Sequence, residues 1–139
     1  MVEARLRVIY GDTDQMGVVY YANYLRYFEF ARSEYIRARG HSYREIEKEG
    51  LRIPVVEAHA HYRAPARFDD LLLIRTRVQQ LRRASITFSY EVLRDGEPDV
   101  LCTGHTVHAC LNPAGRPIRF PPGVVALLGA EAGTQPEKP

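Results

Sequence analysis

The chain has 139 residues, a length that suits one domain because most domains have between about 50 and 250 residues. Its composition, 45% hydrophobic and 26% charged, is that of an ordinary globular protein, and its longest apolar runs, DLLLI and GVVALL, are too short to cross a bilayer. The formal net charge of +2 at pH 7 gives the molecule as a whole little affinity for nucleic acid or for an anionic membrane surface.

The first part of the chain predicts a strand, a loop and a long helix. RLRVIY at 5–10 has the β-branched and aromatic content of a strand, and no secretory signal precedes it, so we expect a cytoplasmic protein. After a loop at 12–18, apolar positions recur at helical spacing from Tyr21 to Gly40 and leave little of the helix polar. Such a helix is best buried on most sides, as it is when a sheet wraps around it.

The next part predicts a short helix and a series of strands. Ser42 and Glu45 form a capping-box pattern for a helix that ends at Gly50. Four segments rich in Val, Ile, Thr, Leu, Phe and Tyr follow, at 53–63, 69–81, 84–94 and 99–111. Short turns separate them, with the strongest hairpin signal at Asp95-Gly96, so we expect an antiparallel meander.

The last part predicts an edge segment with one or two helical turns at 116–130, and then a disordered tail at 131–139. One domain at 1–130 then has an α+β fold, in which an antiparallel sheet wraps around one long central helix. The exposed edges of such a sheet predict pairing with a second copy, as a homodimer or a homotetramer.

The cysteines and histidines predict neither a disulfide nor a metal site. Cys102 and Cys110 lie eight residues apart in one strand, which at about 3.3 Å per residue is far beyond disulfide reach. His59 and His61 share one face of a strand, as a metal pair would, but no third ligand is near. The other histidines are dispersed along the chain, at His41, His105 and His108.

The stretch YGDTDQMGVVYYANYLRYF at 10–28 places two aspartates and several tyrosines directly before the long helix. A helix that begins near Tyr21 exposes unpaired N–H groups and the positive end of its dipole, which suit a developing oxyanion. Asp14 can present its carboxylate to a carbonyl carbon held there, as acyl transfer requires, and Gly17 allows close approach of the backbone. The alternative is that Asp12 and Asp14 only order the loop, because Asp favours turns.

The motif RVIYGDTDQMGVVYYANYLRYFEFAR resembles that of the hotdog-fold acyl-CoA thioesterases of the 4-hydroxybenzoyl-CoA thioesterase type. The segments YRAPARFDDLLLIRTRV and RRASITFSYEV are similar to later strands and turns of that family, so the likeness extends to about residue 125. The resemblance implies a hotdog fold and the hydrolysis of an acyl-CoA or acyl-carrier thioester, with no metal and no cofactor.

By this resemblance, Asp14 is the catalytic carboxylate, acting as the nucleophile or as the base for water. The Tyr21 N–H is the oxyanion donor, and Gly17 and Val18 shape the approach through their backbone. Asp12 is then a structural carboxylate that orders the loop. Some relatives place a histidine where this chain has Tyr21, so we expect no mechanism that needs an imidazole beside the carboxylate.

Other side chains near the motif have two interpretations. Glu29 is a second candidate acid, but its neighbours at helical spacing favour a surface ion-pair network with Arg26, Arg32 and Ser33. The tyrosines around the helix start either line an acyl pocket or belong to the core; they are Tyr20, Tyr21, Tyr24 and Tyr27.

A predicted hairpin turn is the candidate site for the phosphates of CoA. Arg82, Arg83 and Ser85 lie at this turn, and arginine offers paired donors that match phosphate geometry. The resemblance favours contacts from Arg82 or Arg83 and also suggests Arg119. The alternative is a basic turn that is only solvated.

Two other functions are compatible with a hotdog fold: binding of an acyl-CoA without cleavage, and hydration or dehydration of an enoyl thioester. Asp14 argues against the first, because a domain that only binds needs no carboxylate at the carbonyl. The second needs a histidine paired with an acid, and the motif at 10–28 contains no histidine.

Overall fold

The computed structural model describes residues 1–40 and 43–129, with the side chain of Tyr43 excepted. Within these residues there are five strands and three α-helices: β1 at Val2–Arg7, α1 at Asn23–Ala38, α2 at Tyr43–Lys48, β2 at Val55–Tyr62, β3 at Leu71–Leu81, β4 at Ser85–Arg94, β5 at Val100–Ala109 and α3 at Pro122–Leu128. A 3-10 turn at Tyr10–Asp12 follows β1. The predicted cap residue Ser42, His41 and the predicted tail at 131–139 lie outside the described residues.

The five strands form one antiparallel sheet in the order β1-β3-β4-β5-β2. The α+β architecture is therefore as predicted, and β2 to β5 begin and end within two residues of their predicted bounds. The predicted four-strand meander holds only for β3, β4 and β5 and is wrong for β2, because β2 pairs with β5 and not with β3. β1 is three residues out of place, because Tyr10 enters the 3-10 turn. Of the predicted last edge segment at 116–130, the described residues keep one isolated bridge, between Pro117 and Leu111.

α1 packs one face against the sheet, and six of its sixteen residues are buried. The Phe28 ring stacks on Tyr90 of β4, with centroids 4.4 Å apart and planes 5° apart. A Cβ at Gly104 of β5 would approach the Phe28 ring to 2.5 Å, so only glycine admits this ring at the sheet. The opposite face of α1 exposes Leu25 and Glu29, so burial on most sides is not reached within one chain. Gly40, at φ 95°, ends the helix where predicted.

A chain of hydrogen bonds crosses the core beside α1. Arg32 Nη1 donates to Tyr90 Oη at 3.0 Å, and Tyr90 Oη lies 2.6 Å from Thr106 Oγ1. Thr106 Oγ1 lies 2.8 Å from His108 Nε2, and His108 Nδ1 lies 3.2 Å from the Ile53 carbonyl oxygen. A carbonyl only accepts, so Nδ1 carries the proton of the neutral ring, and both hydroxyls donate in the direction of His108.

The free energy of unfolding is expected to decrease in acid because of His108. Burial, followed by the charge of Arg32, lowers the pKa of His108 from 6.5 to about 4. Between these values the unfolded chain binds a proton at this position and the folded chain does not. Stability from this residue is therefore complete above about pH 6.5 and falls by about 3 kcal/mol as the pH drops to about 4.

Urea unfolding of the parent and of His108→Gln at pH 7 and at pH 4.5 measures this effect. The variant should lose about 2 kcal/mol less stability between the two pH values than the parent loses. His59→Gln changes an exposed imidazole and should keep the parent's pH dependence. Equal losses in the parent and in His108→Gln would contradict a buried neutral imidazole.

Candidate active site

A cavity of about 310 Å³ lies between the loop before α1 and the end of β2. One wall contains residues between Asp14 and Tyr24, including Val18 and Tyr21, and the other runs from Tyr62 to Pro65. The structure thus brings Asp14, Val18 and Tyr21 together at one cavity. Gly17 belongs to the same loop but is not part of the cavity wall.

The loop that carries Asp14 is a tight reversal held by its own backbone. Asp14 N–H donates to the Val18 carbonyl, and Gly17 N–H donates to the Asp14 carbonyl, each at 2.9 Å. Gly17 has φ 78°, a left-handed conformation that glycine adopts without a Cβ clash. Met16 N–H donates to Asp14 Oδ1 at 2.9 Å, whereas Oδ2 has no hydrogen-bond partner in the part of the chain that the structure describes. The carboxylate is therefore oriented through one oxygen and leaves the other available.

Asp12 is buried and ties this loop to α1. Its carboxylate accepts hydrogen bonds from Arg26 and, at 2.8 Å, from Tyr27 Oη. Its main-chain oxygen accepts from Tyr20 N–H and from Asn23 Nδ2, each at 2.9 Å. Burial, together with the Asp12 carboxylate, raises the pKa of Tyr27, so the phenol stays protonated and donates to Asp12 at neutral pH. These contacts agree with the structural role that the sequence suggests for Asp12.

The predicted ion-pair network around Glu29 is wrong. Arg26 bonds to Asp12, and Arg32 bonds to Tyr90. Glu29 is exposed and, among residues 1–40 and 43–129, has no salt-bridge partner. Both arginines instead reach oxygens buried in the fold, where a charged hydrogen bond meets less competition from water than at an exposed carboxylate. Glu29 also lies outside the cavity.

The Tyr21 N–H is presented in the turn before α1, which begins at Asn23 and thus two residues later than predicted. The Tyr20 carbonyl accepts from Asn23 N–H at 2.9 Å and is therefore directed into the helix. A trans peptide directs its C=O and N–H oppositely, so the Tyr21 N–H points away from the helix. Within the described ranges, no acceptor is within hydrogen-bonding distance of this N–H.

Tyrosine rings form much of the cavity wall. The Tyr62 ring meets Tyr21 and Tyr24 edge to face, with centroids 6.3 Å and 5.3 Å away. Burial raises the pKa of Tyr24 and of Tyr62, so both phenols stay protonated at neutral pH. The four tyrosines considered from the sequence divide between pocket and core: Tyr21 and Tyr24 line the cavity, Tyr20 is exposed outside it, and Tyr27 is buried against Asp12.

The second wall of the cavity is what sequence reasoning missed. Arg63 N–H and Ala64 N–H donate to the Leu101 carbonyl at 2.9 Å and 3.1 Å, which folds the chain after β2 over the cavity. Arg63 is exposed, and no acceptor contacts its guanidinium in the portion of the chain described. In the sequence, the segment APARFDD at 64–70 indicates a turn between two predicted strands, which by itself does not indicate that it lines a cavity.

The four candidate phosphate contacts lie together at one end of the sheet. Arg82 and Arg83 are exposed in the turn between β3 and β4, and Ser85 is the first residue of β4. Phe120 N–H donates to the Arg83 carbonyl at 2.9 Å, which brings the exposed Arg119 to the same end. We refer to Arg82, Arg83, Ser85 and Arg119 as the basic turn.

The basic turn and the cavity are far apart within one chain. β4 runs for ten residues from Ser85 to Arg94, or about 30 Å at the usual rise of a strand. Arg94, at the far end, donates to the Pro65 carbonyl in the cavity wall at 2.6 Å. The basic turn therefore lies at the opposite end of the sheet from Asp14.

Among the described residues, no cluster of three or more His, Cys, Asp or Glu side chains has an arrangement that could hold a metal ion. His59 stacks on His105 of the neighbouring strand, with ring centroids 5.1 Å apart. Cys102 and Cys110 are buried free thiols, and burial raises the pKa of Cys102 to about 12. None of the helices described has the length and apolar character needed to span a membrane.

Comparison with known proteins gives one consistent family. Residues 8–128 match the family model of the thioesterase-like superfamily. The acyl-CoA thioesterase YbgC of Haemophilus influenzae is 35% identical over 126 residues, which cover 88% of this chain and 90% of that protein. The crystal structure of the hypothetical protein TT1821 from Thermus thermophilus matches with a TM-score of 0.88 and 36% identity over 93% of this chain and 98% of that one.

The DHNA-CoA thioesterase of Staphylococcus aureus matches with a TM-score of 0.86 and 28% identity, over 91% of this chain and 87% of that one. The family match covers all the elements from α1 to α3, and with them the whole cavity wall. The hotdog fold that the sequence motif suggests is confirmed, and the chain belongs to the thioesterase-like superfamily.

Proposed function

We propose that this protein is an acyl-CoA thioesterase that hydrolyses its substrate to a free acid and CoA. The observation that carries the proposal is that Asp14, with one free carboxylate oxygen, and Tyr21, with an unpaired N–H among the described residues, line one cavity. The names of the similar proteins from Haemophilus influenzae and Staphylococcus aureus support a CoA thioester as the substrate.

The reaction uses these two groups in complementary roles. Asp14 Oδ2 either adds to the thioester carbonyl carbon, forming an anhydride that water then hydrolyses, or takes a proton from the water that attacks. In both routes the C–S bond breaks, and the thiolate leaves with the electron pair. The Tyr21 N–H and the positive end of the α1 dipole stabilise the charge that develops on the carbonyl oxygen. Gly17 and Val18 set the shape of the loop that aims the carboxylate.

Hydrolysis fits the cavity better than hydration of an enoyl thioester. No histidine is found among the described residues that line it, so the histidine–acid pair that hydration needs is not supplied. Aspartate chemistry at a carbonyl requires neither a metal nor an organic cofactor. The two buried free thiols suit a reducing compartment, which supports a cytoplasmic enzyme.

The proposed assembly is a homodimer joined through β2, with a homotetramer as a pair of such dimers. The other edge strand, β1, carries charges at Glu3, Arg5 and Arg7, which oppose edge pairing. β2 exposes Val55 and Val56 and has a single acidic residue. Antiparallel pairing of two β2 strands would extend the sheet across both chains.

This pairing would place the basic turn of one chain near Asp14 of the other. Because β2 runs from the basic-turn end of the sheet to the cavity end, an antiparallel partner brings its own basic turn to the cavity end. Across the paired sheets, β2 of one chain and β4 of the partner are then three strand spacings apart, or about 15 Å. An extended pantetheine arm can bridge that offset, with the phosphates of the CoA nucleotide at Arg82 and Arg83 and with Ser85 and Arg119 beside them.

Replacing Asp14 tests the catalytic role. Asp14→Asn keeps an oxygen for Met16 N–H, so folding should be preserved, but it removes the nucleophile or base and should lower kcat by about a hundredfold or more. Thiol release from acetyl-, hexanoyl-, palmitoyl- and benzoyl-CoA measures it. Glu29→Gln removes the other candidate acid and should leave kcat close to that of the parent.

Two results would contradict this proposal. Rapid hydrolysis by Asp14→Asn would show that another group does the chemistry. Tight binding of these acyl-CoAs by the parent without thiol release would instead support a domain that binds and does not cleave.

Replacing Arg82 and Arg83 tests recognition of the nucleotide. The double variant Arg82→Ala/Arg83→Ala should raise KM for the acyl-CoA about tenfold, because each charged hydrogen bond to a phosphate contributes to binding. KM for the matching acyl-pantetheine, which lacks the nucleotide, should stay at the parent value. Arg44→Ala, at an exposed arginine of α2, is the control. Equal changes in KM for both substrates, or none for either, would count against the basic turn as a phosphate site.

A further inference from the structure

We infer that Tyr62 is a positioning residue whose hydroxyl holds the oxyanion donor in place. The inference rests on the proposed function, because it concerns the Tyr21 N–H. It arises from a contact between two walls of the cavity: Tyr62 Oη, at the end of β2, donates to the Tyr21 carbonyl at 2.9 Å. These two residues are 41 positions apart in the chain, so the bond joins the edge of the sheet to the start of the helix.

Two of the main-chain hydrogen bonds at the start of α1 are long, and one of them is made to the Tyr21 carbonyl. Tyr24 N–H donates to the Tyr21 carbonyl at 3.3 Å, and Leu25 N–H donates to the Ala22 carbonyl at 3.2 Å. Both distances are at or beyond the upper end of the ordinary range for such bonds. The Tyr62 hydroxyl is thus the closest donor to the Tyr21 carbonyl.

The two peptide planes that meet at the Tyr21 Cα each have one firm hydrogen bond. Asn23 N–H holds the Tyr20 carbonyl at 2.9 Å and so fixes the plane that contains the Tyr21 N–H. Tyr62 holds the next plane through the Tyr21 carbonyl. With both planes held, φ and ψ of Tyr21 have little freedom, although this residue lies outside α1. An oxyanion donor is effective only when it is fixed before charge develops, so this restraint favours the transition state.

The phenol is suited to this role. A phenol has an ordinary pKa of about 10 and is therefore neutral near pH 7; desolvation raises the pKa of Tyr62 further. Its ring packs edge to face on Tyr21 and Tyr24, which limits rotation of the side chain. The restraint acts on the donor and not on the substrate, so its loss should affect turnover more than binding.

Tyr62→Phe removes the hydroxyl and keeps the ring. We expect kcat to fall about fivefold, as for the loss of one typical net hydrogen bond, with KM within about twofold of the parent. The acyl-CoA is whichever of the acetyl, hexanoyl, palmitoyl and benzoyl thioesters the parent hydrolyses fastest. Tyr10→Phe is the matched control, because this tyrosine is 78% exposed and its ring contacts Phe68 away from the cavity. It should keep the parent kcat.

A bound carbonyl gives a second readout. In the ketone analogue of the same acyl-CoA, with methylene in place of sulfur, the C=O stretching frequency is lowered by a donor to the oxygen. Tyr62→Phe should raise this frequency relative to the parent complex, and Tyr10→Phe should not. Affinity for a thioether analogue without the carbonyl oxygen should be the same in all three proteins.

The outcomes separate this inference from the proposed function. If Tyr62→Phe has the same kcat and carbonyl frequency as the parent while Asp14→Asn is inactive, the role of Tyr62 is overturned and the proposed function is not. A higher KM with unchanged kcat would also overturn it, because Tyr62 would then contact the substrate. A parent that hydrolyses none of the four thioesters would instead contradict the proposed function.

Discussion

The buried carboxylate of Asp12 is the constraint on which the site depends. Through Arg26 and Tyr27 it is fixed to the first turns of α1, and through its main-chain oxygen it holds Tyr20 and Asn23. These contacts fix both ends of the loop, at Asp12 and at Tyr20, relative to α1. The tight reversal between them, which carries Asp14, therefore has little conformational freedom. The two aspartates of the motif therefore differ by environment: the buried one is fully bonded, and the one two residues later keeps an oxygen free.

Contacts with the sheet fix the second wall of the cavity to the loop and to α1. Val19 N–H donates to the Ala66 carbonyl at 2.8 Å, and the Tyr24 hydroxyl accepts from Ala66 N–H at 3.3 Å, so the turn after β2 is fixed to both the loop and the helix. Arg94 adds a bond from β4 to the same turn. The two walls of the cavity, which are distant in sequence, are thus held together by contacts from the loop, from α1 and from β4.

Much of the fold could be predicted from periodicity and turn chemistry, because both are local. Apolar spacing and Gly40 defined α1, and Asp95-Gly96 marked the turn between β4 and β5, where Gly96 has φ 83°. The order of the edge strands, the wall formed by Tyr62 and the pairing of Arg26 with Asp12 could not be predicted in this way. These features depend on which distant segments meet. Local helical spacing suggested Glu29 for Arg26, and a buried acceptor fourteen residues away was preferred.

In the proposed dimer, β2 has two coupled roles, as the interface strand and as the strand that carries Tyr62. Its free backbone edge would pair with the second chain, and its last side chain holds the peptide that follows Tyr21, next to the peptide that carries the proposed oxyanion donor. An edge strand with one unpaired side has fewer restraints than a strand between two neighbours, so pairing at β2 would also restrict Tyr62. The same pairing would deliver the basic turn of one chain to the cavity of the other. In the proposed assembly, one chain would supply the fixed oxyanion donor and the other would supply the nucleotide site. Neither chain alone has both at one cavity.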